Sequence, residues 1–363
     1  DLMMGLVGSE MCIRDSHCRT PMAPPWLPEP TQSRAMPATL QTRSPAWRLV
    51  ALVLLVAAAL MGCATLDQQQ RKWIFQPTDR TWWGGLAAAE GMQDVWIDFR
   101  SEASGEAVRL HGLWVPQERP DAPVLLYLHG ARFDVRGSAH RMRRMHELGF
   151  AVLGIDYRGF GRSTAVLPSE TYAFEDARAA WQWIAQQYPN VPRYVFGHSL
   201  GGAIAVHLAA EGAPDAAGLI VEGTFTSIPD VVRTFRWGWL PVSPLITQRF
   251  DAGRRIERVK MPVLVVHGSE DRLIAPELGR SLYERAPEPK RFLLVEGGSH
   301  HNTNSVGQPM YRQALAEMFG HGAEARRDGS ALSGALAPRA VSPPARSAPV
   351  APAARPAAPA APG

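Results

Sequence analysis

One serine sits between two glycines at the junction of an apolar strand and a helix-forming run. Residues 194–196 have the pattern of a buried strand, and residues 203–210 are rich in good helix formers. Between them Gly197 and Gly201 flank Ser199 at two residues' distance, where strand and helix approach too closely for side chains. The pattern predicts a strained elbow that holds the Ser199 hydroxyl at the carboxyl end of a sheet, beside the positive end of a helix. Ser199 is therefore the candidate nucleophile.

Two later strands deliver further polar residues. The apolar run 262–266 leads into His-Gly-Ser-Glu-Asp, which ends at Asp271, and the run 291–295 leads into Glu-Gly-Gly-Ser-His-His, which contains His300. Open parallel sheets place their sites at the carboxyl ends of strands, so these loops are expected to meet near the serine. Glu222 also follows a strand and is the alternative acid.

An earlier strand supplies the fourth part of the predicted site. The buried run 124–128 ends in His129 and Gly130, a turn suited to aiming a backbone N–H. The N–H groups of Ala131 and Leu200 are accordingly the candidate donors to an oxyanion.

Five segments occur in order between about residues 95 and 320: LHG, DYRGFGRS, GHSLGG, HGSEDRLIAP and GGSH. Together they resemble the α/β-hydrolase superfamily, and most of all its membrane-attached branch of serine-aminopeptidase-like and esterase-like proteins. The resemblance implies an α/β fold with a mostly parallel central sheet flanked by helices, and a small cap insertion at about 223–261. It also implies Ser199 as nucleophile, Asp271 as acid and His300 as base, with no metal and no organic cofactor.

One departure from the family pattern concerns the base. Many relatives have a single histidine followed by Asn-Asp, whereas His300 here is followed by His301 and Asn302. His300 keeps the Gly-x-x-His spacing from Gly297, which favours it over His301.

The hydrolase domain is predicted to span residues 92–322 of the 363, with segments of different character outside it. Residues 1–35 lack periodicity and are interpreted as a spurious leader. Residues 36–62 resemble a lipoprotein signal peptide, 63–91 a tether and entry segment, and the Ala/Pro-rich residues 323–363 a disordered tail.

The signal peptide ends in Leu-Met-Gly-Cys, which matches the bacterial lipobox and predicts a lipid on Cys63. The alternative is an uncleaved membrane span, but the uncharged stretch 49–66 is shorter than the ~20 residues a span normally needs. Cys12 and Cys18 are the other cysteines, so the mature body would contain neither a disulfide nor a thiolate metal site. Ala64 after the cysteine favours the periplasmic face of the outer membrane in the bacterial envelope.

The predicted chemistry is hydrolysis of small carboxylic esters, or of amides or short peptides, through an acyl-enzyme. Aromatic residues in the cap favour acyl or aromatic substrates. The formal charge of +4 comes from scattered arginines without a basic-aromatic module, which argues against nucleic-acid binding. The alternatives are an acyltransferase and a catalytically silent envelope binding protein with the same fold.

Overall fold

A computed structural model describes residues 45–82, 84–236 and 238–321. The chain divides into two compact units, residues 1–57 and 58–363. The described part of the first unit, residues 45–57, is helical. The predicted leader, the start of the signal peptide up to residue 44 and the predicted tail lie outside the described residues.

The second unit is built on one eight-stranded sheet with the order β1-β2-β4-β3-β5-β6-β7-β8. The strands are β1 Gln93–Arg100, β2 Ala107–Val115, β3 Val124–Leu128, β4 Ala151–Ile155, β5 Arg193–His198, β6 Gly218–Glu222, β7 Val263–Gly268 and β8 Lys290–Val295. The β1–β2 and β2–β4 pairs are antiparallel, and all later pairs are parallel. The mostly parallel sheet expected from the sequence is confirmed.

Helices flank this sheet on both faces. The helices of the described residues are α1 Pro45–Phe75, α2 Gly85–Ala89, α3 Ala139–Glu147, α4 Glu170–Gln187, α5 Leu200–Glu211, α6 Ile228–Arg233, α7 Ala252–Arg255, α8 Pro276–Arg285, α9 Thr303–Val306 and α10 Gln308–Phe319. Strand residues alternate between the two faces, so Leu126 packs with α4 and α5 residues while Tyr127 packs with α3 and α10 residues. Both faces of the central strands are covered, which explains their continuous apolar runs.

Helix α1 ends inside the core of the second unit. Its last residue, Phe75, is fully buried, and its ring lies 5.6 Å from that of Phe250 and 6.4 Å from that of Phe160. The segment predicted as a tether therefore contains a helical end that packs on the hydrolase core. Residues Arg48–Phe75 are long and apolar enough to cross a membrane, a property that signal sequences share.

The predicted cap segment, 223–261, joins β6 to β7. It contains α6, α7 and short 3-10 turns, with no helix longer than the six residues of α6 among its described residues. Phe250 and Ile256 anchor it to the core, whereas Phe235 and Trp239 are exposed.

Candidate active site

Ser199 occupies a sharp turn between β5 and α5. Its backbone adopts φ 57° and ψ −123°, a conformation that costs about 1–3 kcal/mol and that the surrounding packing must hold in place. A Cβ on Gly197 would lie 2.2 Å from the carbonyl oxygen of Gly201, and one on Gly201 would lie 2.1 Å from that of Leu128. The steric reason for the two glycines is the one inferred from the sequence.

Asp271 and His300 meet beyond the ends of β7 and β8. The Nδ1 of His300 donates a hydrogen bond to Oδ2 of Asp271 over 2.8 Å, and both residues are buried. The N–H groups of Leu273 and Ile274 donate to the other carboxylate oxygen, each over 2.9 Å. The carboxylate is thus oriented from both sides, and its Oδ2 also lies 3.4 Å from Nε2 of His267.

Burial alone would raise the pKa of Asp271. Hydrogen bonds from the rings of His267 and His300 outweigh it, so the pKa of this carboxyl lies well below its usual range. Asp271 is ionised at neutral pH and can support a positive charge on His300.

The end of β6 joins the serine to this pair. The Ser199 N–H donates to the carbonyl oxygen of Glu222 over 2.9 Å, and the Thr224 hydroxyl donates to the carbonyl oxygen of Ser199 over 2.8 Å. Between them, a Cβ on Gly223 would lie 3.4 Å from both Asp271 Oδ2 and His300 Nδ1. The same short segment therefore contacts the serine on one side and the acid–histidine pair on the other.

The turn after β3 packs directly on the serine. A Cβ on Gly130 would lie 3.1 Å from the Cβ of Ser199, so Ala131 follows at the edge of the same site. Leu200 is the first residue of α5, and its N–H therefore has no acceptor within that helix. Both candidate oxyanion donors consequently belong to segments that adjoin Ser199.

Helix α1 contacts this turn from outside the sheet. The Arg132 N–H donates to the carbonyl oxygen of Phe75 over 2.9 Å, and the Arg132 Nε donates to Oε1 of Gln76 over 3.0 Å. Arg132 has φ +88°, a left-handed conformation that is unfavourable for a side chain with a Cβ. These two bonds hold the residue next to Ala131 in that conformation.

His301 has a different environment from His300. Its ring stacks on Trp82 at a centroid distance of 5.7 Å and an angle of 26°. Burial, with the positive charges of His300 and Arg141, lowers its pKa. Of the two adjacent histidines, the one with the family spacing carries the carboxylate partner.

Glu222, the alternative acid, is fully buried and has other partners. Its Oε1 accepts a hydrogen bond from Nε of Arg141 over 2.8 Å, and its Oε2 accepts one from the Tyr311 hydroxyl. Its carboxylate therefore serves an ion pair, whereas Asp271 holds the His300 ring.

Arg141 was not singled out from the sequence, yet it reaches the site. Its Nη2 donates to the carbonyl oxygens of His300 and His301 over 3.0 and 3.1 Å. The Nε2 of His198 donates to the same His300 carbonyl over 3.0 Å. Two donors therefore fix the backbone of the candidate base.

Asp156, at the start of the DYRGFG loop, accepts hydrogen bonds from the Val135 N–H over 2.7 Å and from His111 Nδ1 over 2.9 Å. The other ring nitrogen of His111 binds Asp94 over 2.9 Å. Burial would lower the pKa of His111, but the two carboxylates outweigh it and raise the pKa. These contacts are structural and lie outside the serine's immediate surroundings.

Within residues 45–82, 84–236 and 238–321, no group of three or more His, Cys, Asp or Glu side chains could hold a metal ion. Cys63 lies on α1, is exposed and is the only cysteine in these ranges. It takes no part in the site.

The chain matches known proteins over most of its predicted hydrolase domain. The family model of serine aminopeptidase, S33, matches two overlapping segments, residues 119–254 and 245–305. An uncharacterized protein of Mycobacterium tuberculosis (strain CDC 1551 / Oshkosh) is 33% identical over 257 residues, which cover 70% of this chain and 88% of that protein. Lysophosphatidylserine lipase ABHD12 of Danio rerio is 32% identical over 209 residues, 49% of this chain and 54% of the lipase.

Solved structures share the fold. The Pyrococcus furiosus esterase Pf2001 superposes with a TM-score of 0.53 at 21% identity, covering 68% of this chain and 97% of the esterase. Est1E from Butyrivibrio proteoclasticus, solved with ferulic acid bound, has a TM-score of 0.52 at 19% identity, covering 62% of this chain and 99% of Est1E. The chain belongs to the serine aminopeptidase S33 family and is an enzyme of the α/β-hydrolase fold.

Proposed function

We propose that this enzyme hydrolyses carboxylic esters of amphiphilic acyl substrates through a Ser199–His300–Asp271 triad. The observation that carries the proposal is the buried 2.8 Å hydrogen bond between His300 and Asp271, in contact with the β6 end that binds the Ser199 backbone. A serine at a strained elbow beside an oriented histidine is the arrangement that nucleophilic acyl transfer needs.

In the first half-reaction the Ser199 oxygen attacks the substrate carbonyl carbon while His300 Nε2 takes the hydroxyl proton. The new carbon–oxygen bond pushes the carbonyl electron pair onto oxygen, where the N–H groups of Ala131 and Leu200 stabilise the negative charge. The ionised Asp271 stabilises the imidazolium through Nδ1. When the tetrahedral intermediate collapses, the bond to the leaving alcohol breaks and His300 returns the proton to that alcohol.

Water releases the acyl group in the second half-reaction. His300 accepts a proton from water as the water oxygen attacks the acyl carbon, and then donates it to Ser199 as the acyl–serine bond breaks. The products are a carboxylic acid and the free enzyme, and no metal or organic cofactor takes part in these steps.

The substrate class is inferred from two features. ABHD12 of Danio rerio, a relative matched over half its length, is described as a lysophosphatidylserine lipase, and such a lipid is a single-chain acyl ester. The apolar residues 49–66 and the candidate lipid site at Cys63 support attachment to the envelope membrane, at the periplasmic face of the outer membrane. Attachment would bring the enzyme to substrates of this kind.

Labelling with a fluorophosphonate tests the mechanism. The wild-type chain is expected to become labelled at Ser199 and to hydrolyse p-nitrophenyl esters, with a chain-length optimum that identifies the acyl group. The Ser199→Ala variant, shown to be folded by circular dichroism, serves as control. A folded wild-type protein that is neither labelled nor active on any ester of the panel would contradict the proposal and favour a silent binding protein.

A further inference from the structure

The cap exposes apolar side chains beside the part of α1 that follows the proposed anchor. Trp239 is 74% exposed, Leu245 58% and Phe235 56%. Large apolar groups gathered within eleven residues of a surface segment usually mark a binding surface. We call these three side chains, together with Leu66 and Trp73 of α1, the cap face.

Hydrogen bonds join the two parts of this face. The Thr247 hydroxyl and the Gln248 amide donate to Oδ1 of Asp67 over 2.7 and 2.9 Å, and the Gln70 amide donates to the carbonyl oxygen of Leu245 over 2.7 Å. The end of the cap is therefore fixed to the outer turns of α1.

The spacing of residues along α1 places further apolar groups beside the cap. Leu66 and Trp73 lie four residues before and three after Gln70, so the three residues share one side of the helix. Leu66 and Trp73 are both exposed, whereas Gln70 is buried against the cap. The cap face is thus formed by both segments.

The anchor site is close to this face. Cys63 precedes Asp67 by four residues of continuous helix, a rise of about 6 Å. Whether the chain is held by a lipid on Cys63 or by the apolar segment before it, the cap end would lie within about one helical turn of the attachment point.

The charge of the cap favours a negatively charged partner. Residues 223–261 contain six arginines and one lysine against three carboxylates, so the segment keeps a positive charge although Asp230 pairs with Arg233 over 2.7 Å. Aromatic side chains with nearby arginines suit the headgroup region of a bilayer, where rings contact the acyl boundary and guanidinium groups contact phosphates.

The candidate active site adjoins the same helix. Phe75 accepts the Arg132 N–H beside Ala131, and it follows Cys63 by twelve residues, about 18 Å along α1. The turn that contains Ala131 is thereby held at a short, fixed distance from Cys63.

From these contacts we propose that the cap face docks on the anionic bilayer that carries the anchor, and that amphiphilic esters reach Ser199 from that bilayer. The proposal rests on the function proposed above and adds the surface through which the substrate is collected. Its occupant is a lipid surface with anionic headgroups.

Fluorescence quenching measures whether the face enters the bilayer. The full-length chain is incorporated into vesicles of phosphatidylcholine and phosphatidylglycerol in which part of the phosphatidylcholine is brominated. Bromolipids quench only indoles near the acyl chains, so the quenched fraction is expected to fall in Trp239→Phe. It is expected to rise slightly in Trp181→Phe, because the indole of Trp181 is buried in α4 and contributes only unquenched emission. An equal quenched fraction in wild type and Trp239→Phe would overturn the proposal.

Activity on two substrates measures what docking does. The variant Phe235→Ser/Trp239→Ser/Leu245→Ser is expected to hydrolyse p-nitrophenyl palmitate in anionic vesicles about tenfold more slowly than wild type, since it loses the apolar contacts with lipid. Its turnover of dissolved p-nitrophenyl acetate is expected to stay unchanged. In phosphatidylcholine vesicles the difference between the two proteins is expected to shrink. These vesicles offer no anionic headgroups to the cap arginines, so the wild-type protein also docks less.

Leu86→Ser is the matched control. Leu86 is 60% exposed and belongs to α2, which packs against α3, on the opposite face of the sheet from the core cluster of Phe75 and Phe250. It is expected to leave both activities unchanged.

The possible failures are distinguishable. A wild-type protein inactive on dissolved p-nitrophenyl acetate would contradict the proposed function. Full activity of the triple variant on vesicles, with normal acetate hydrolysis, would overturn docking alone. Concentration-dependent dimers of wild type in detergent that the triple variant abolishes would overturn it in favour of a contact between copies of the chain.

Discussion

Glu222→Gln is expected to destabilise the protein strongly although Glu222 is outside the proposed triad. Glu222 is 0% exposed and its carboxylate pairs with the buried Arg141 at 2.8 Å. Neutralising one partner of a buried ion pair leaves the other charge uncompensated, at a cost of about 3–5 kcal/mol. For a domain of this size, about 2–4 °C of Tm is lost per kcal/mol, so the expected fall in Tm is roughly 6–20 °C.

Replacing the whole network separates its structural and positioning roles. In Arg141→Met/Glu222→Leu/Tyr311→Phe neither charge of the buried pair remains to be compensated, and apolar replacements of buried pairs are often neutral or stabilising. Tm is therefore expected to recover to within about 3 °C of wild type. The His300 carbonyl, however, still lacks its Arg141 donor, so turnover is expected to stay about 10- to 100-fold low at unchanged KM.

Near-ultraviolet circular dichroism during heating gives Tm, and p-nitrophenyl acetate hydrolysis at a temperature where every variant is folded gives turnover. If Glu222→Gln melts within 2 °C of wild type, the loss of stability is at most about 1 kcal/mol, and the argument from the buried ion pair is refuted. A triple variant that regains both Tm and turnover would refute the positioning role of Arg141.

Three further predictions concern the triad, the anchor and pH. Ser199→Ala and His300→Ala are each expected to lower turnover by about 10⁴- to 10⁶-fold, and their combination to add little, because triad members act as a unit. His301→Ala, measured in the same assay, is expected to lower turnover far less. A larger loss in His301→Ala than in His300→Ala would make His301 the base. Cys63→Ser is expected to abolish incorporation of labelled palmitate, and a wild-type protein that incorporates none would contradict the lipid anchor. The raised folded-state pKa of His111 means that its stabilising contribution is present below the unfolded pKa of about 6.5 and is lost as pH rises through the folded pKa. The difference in Tm between wild type and His111→Gln is therefore expected to be larger at pH 6 than at pH 9, and an equal difference would contradict the shift.

Local sterics and strand order made much of the fold predictable from the sequence. The elbow is partly local, because Gly197 clears its own neighbours at the start of α5, whereas Gly201 clears the end of β3. Asp271 and His300 each follow a strand directly, and the carboxyl ends of parallel strands meet at one edge of a sheet.

Long-range contacts were not predictable in the same way. Arg141 is one of three arginines in α3, and nothing in the spacing of that helix distinguishes it from Arg143 or Arg144. Its partner Glu222 is 81 residues away, and only the folded sheet shows that the two meet. Likewise, the apolar residues 49–66 have the composition of an anchor. Nothing in that composition predicts that Phe75, at the end of the same helix, packs in the core.

The burial of Phe75 limits how evolution or engineering can exchange the segment that precedes the hydrolase domain. Replacing a buried phenylalanine by alanine costs about 3–5 kcal/mol, a large share of the stability of an ordinary domain. A shortened form that begins at residue 92 would lose this side chain and, with it, the acceptor of the Arg132 N–H. The chain is therefore interchangeable only upstream of Asp67, and the nine residues from Asp67 to Phe75 are inherited with the catalytic domain whatever segment precedes them.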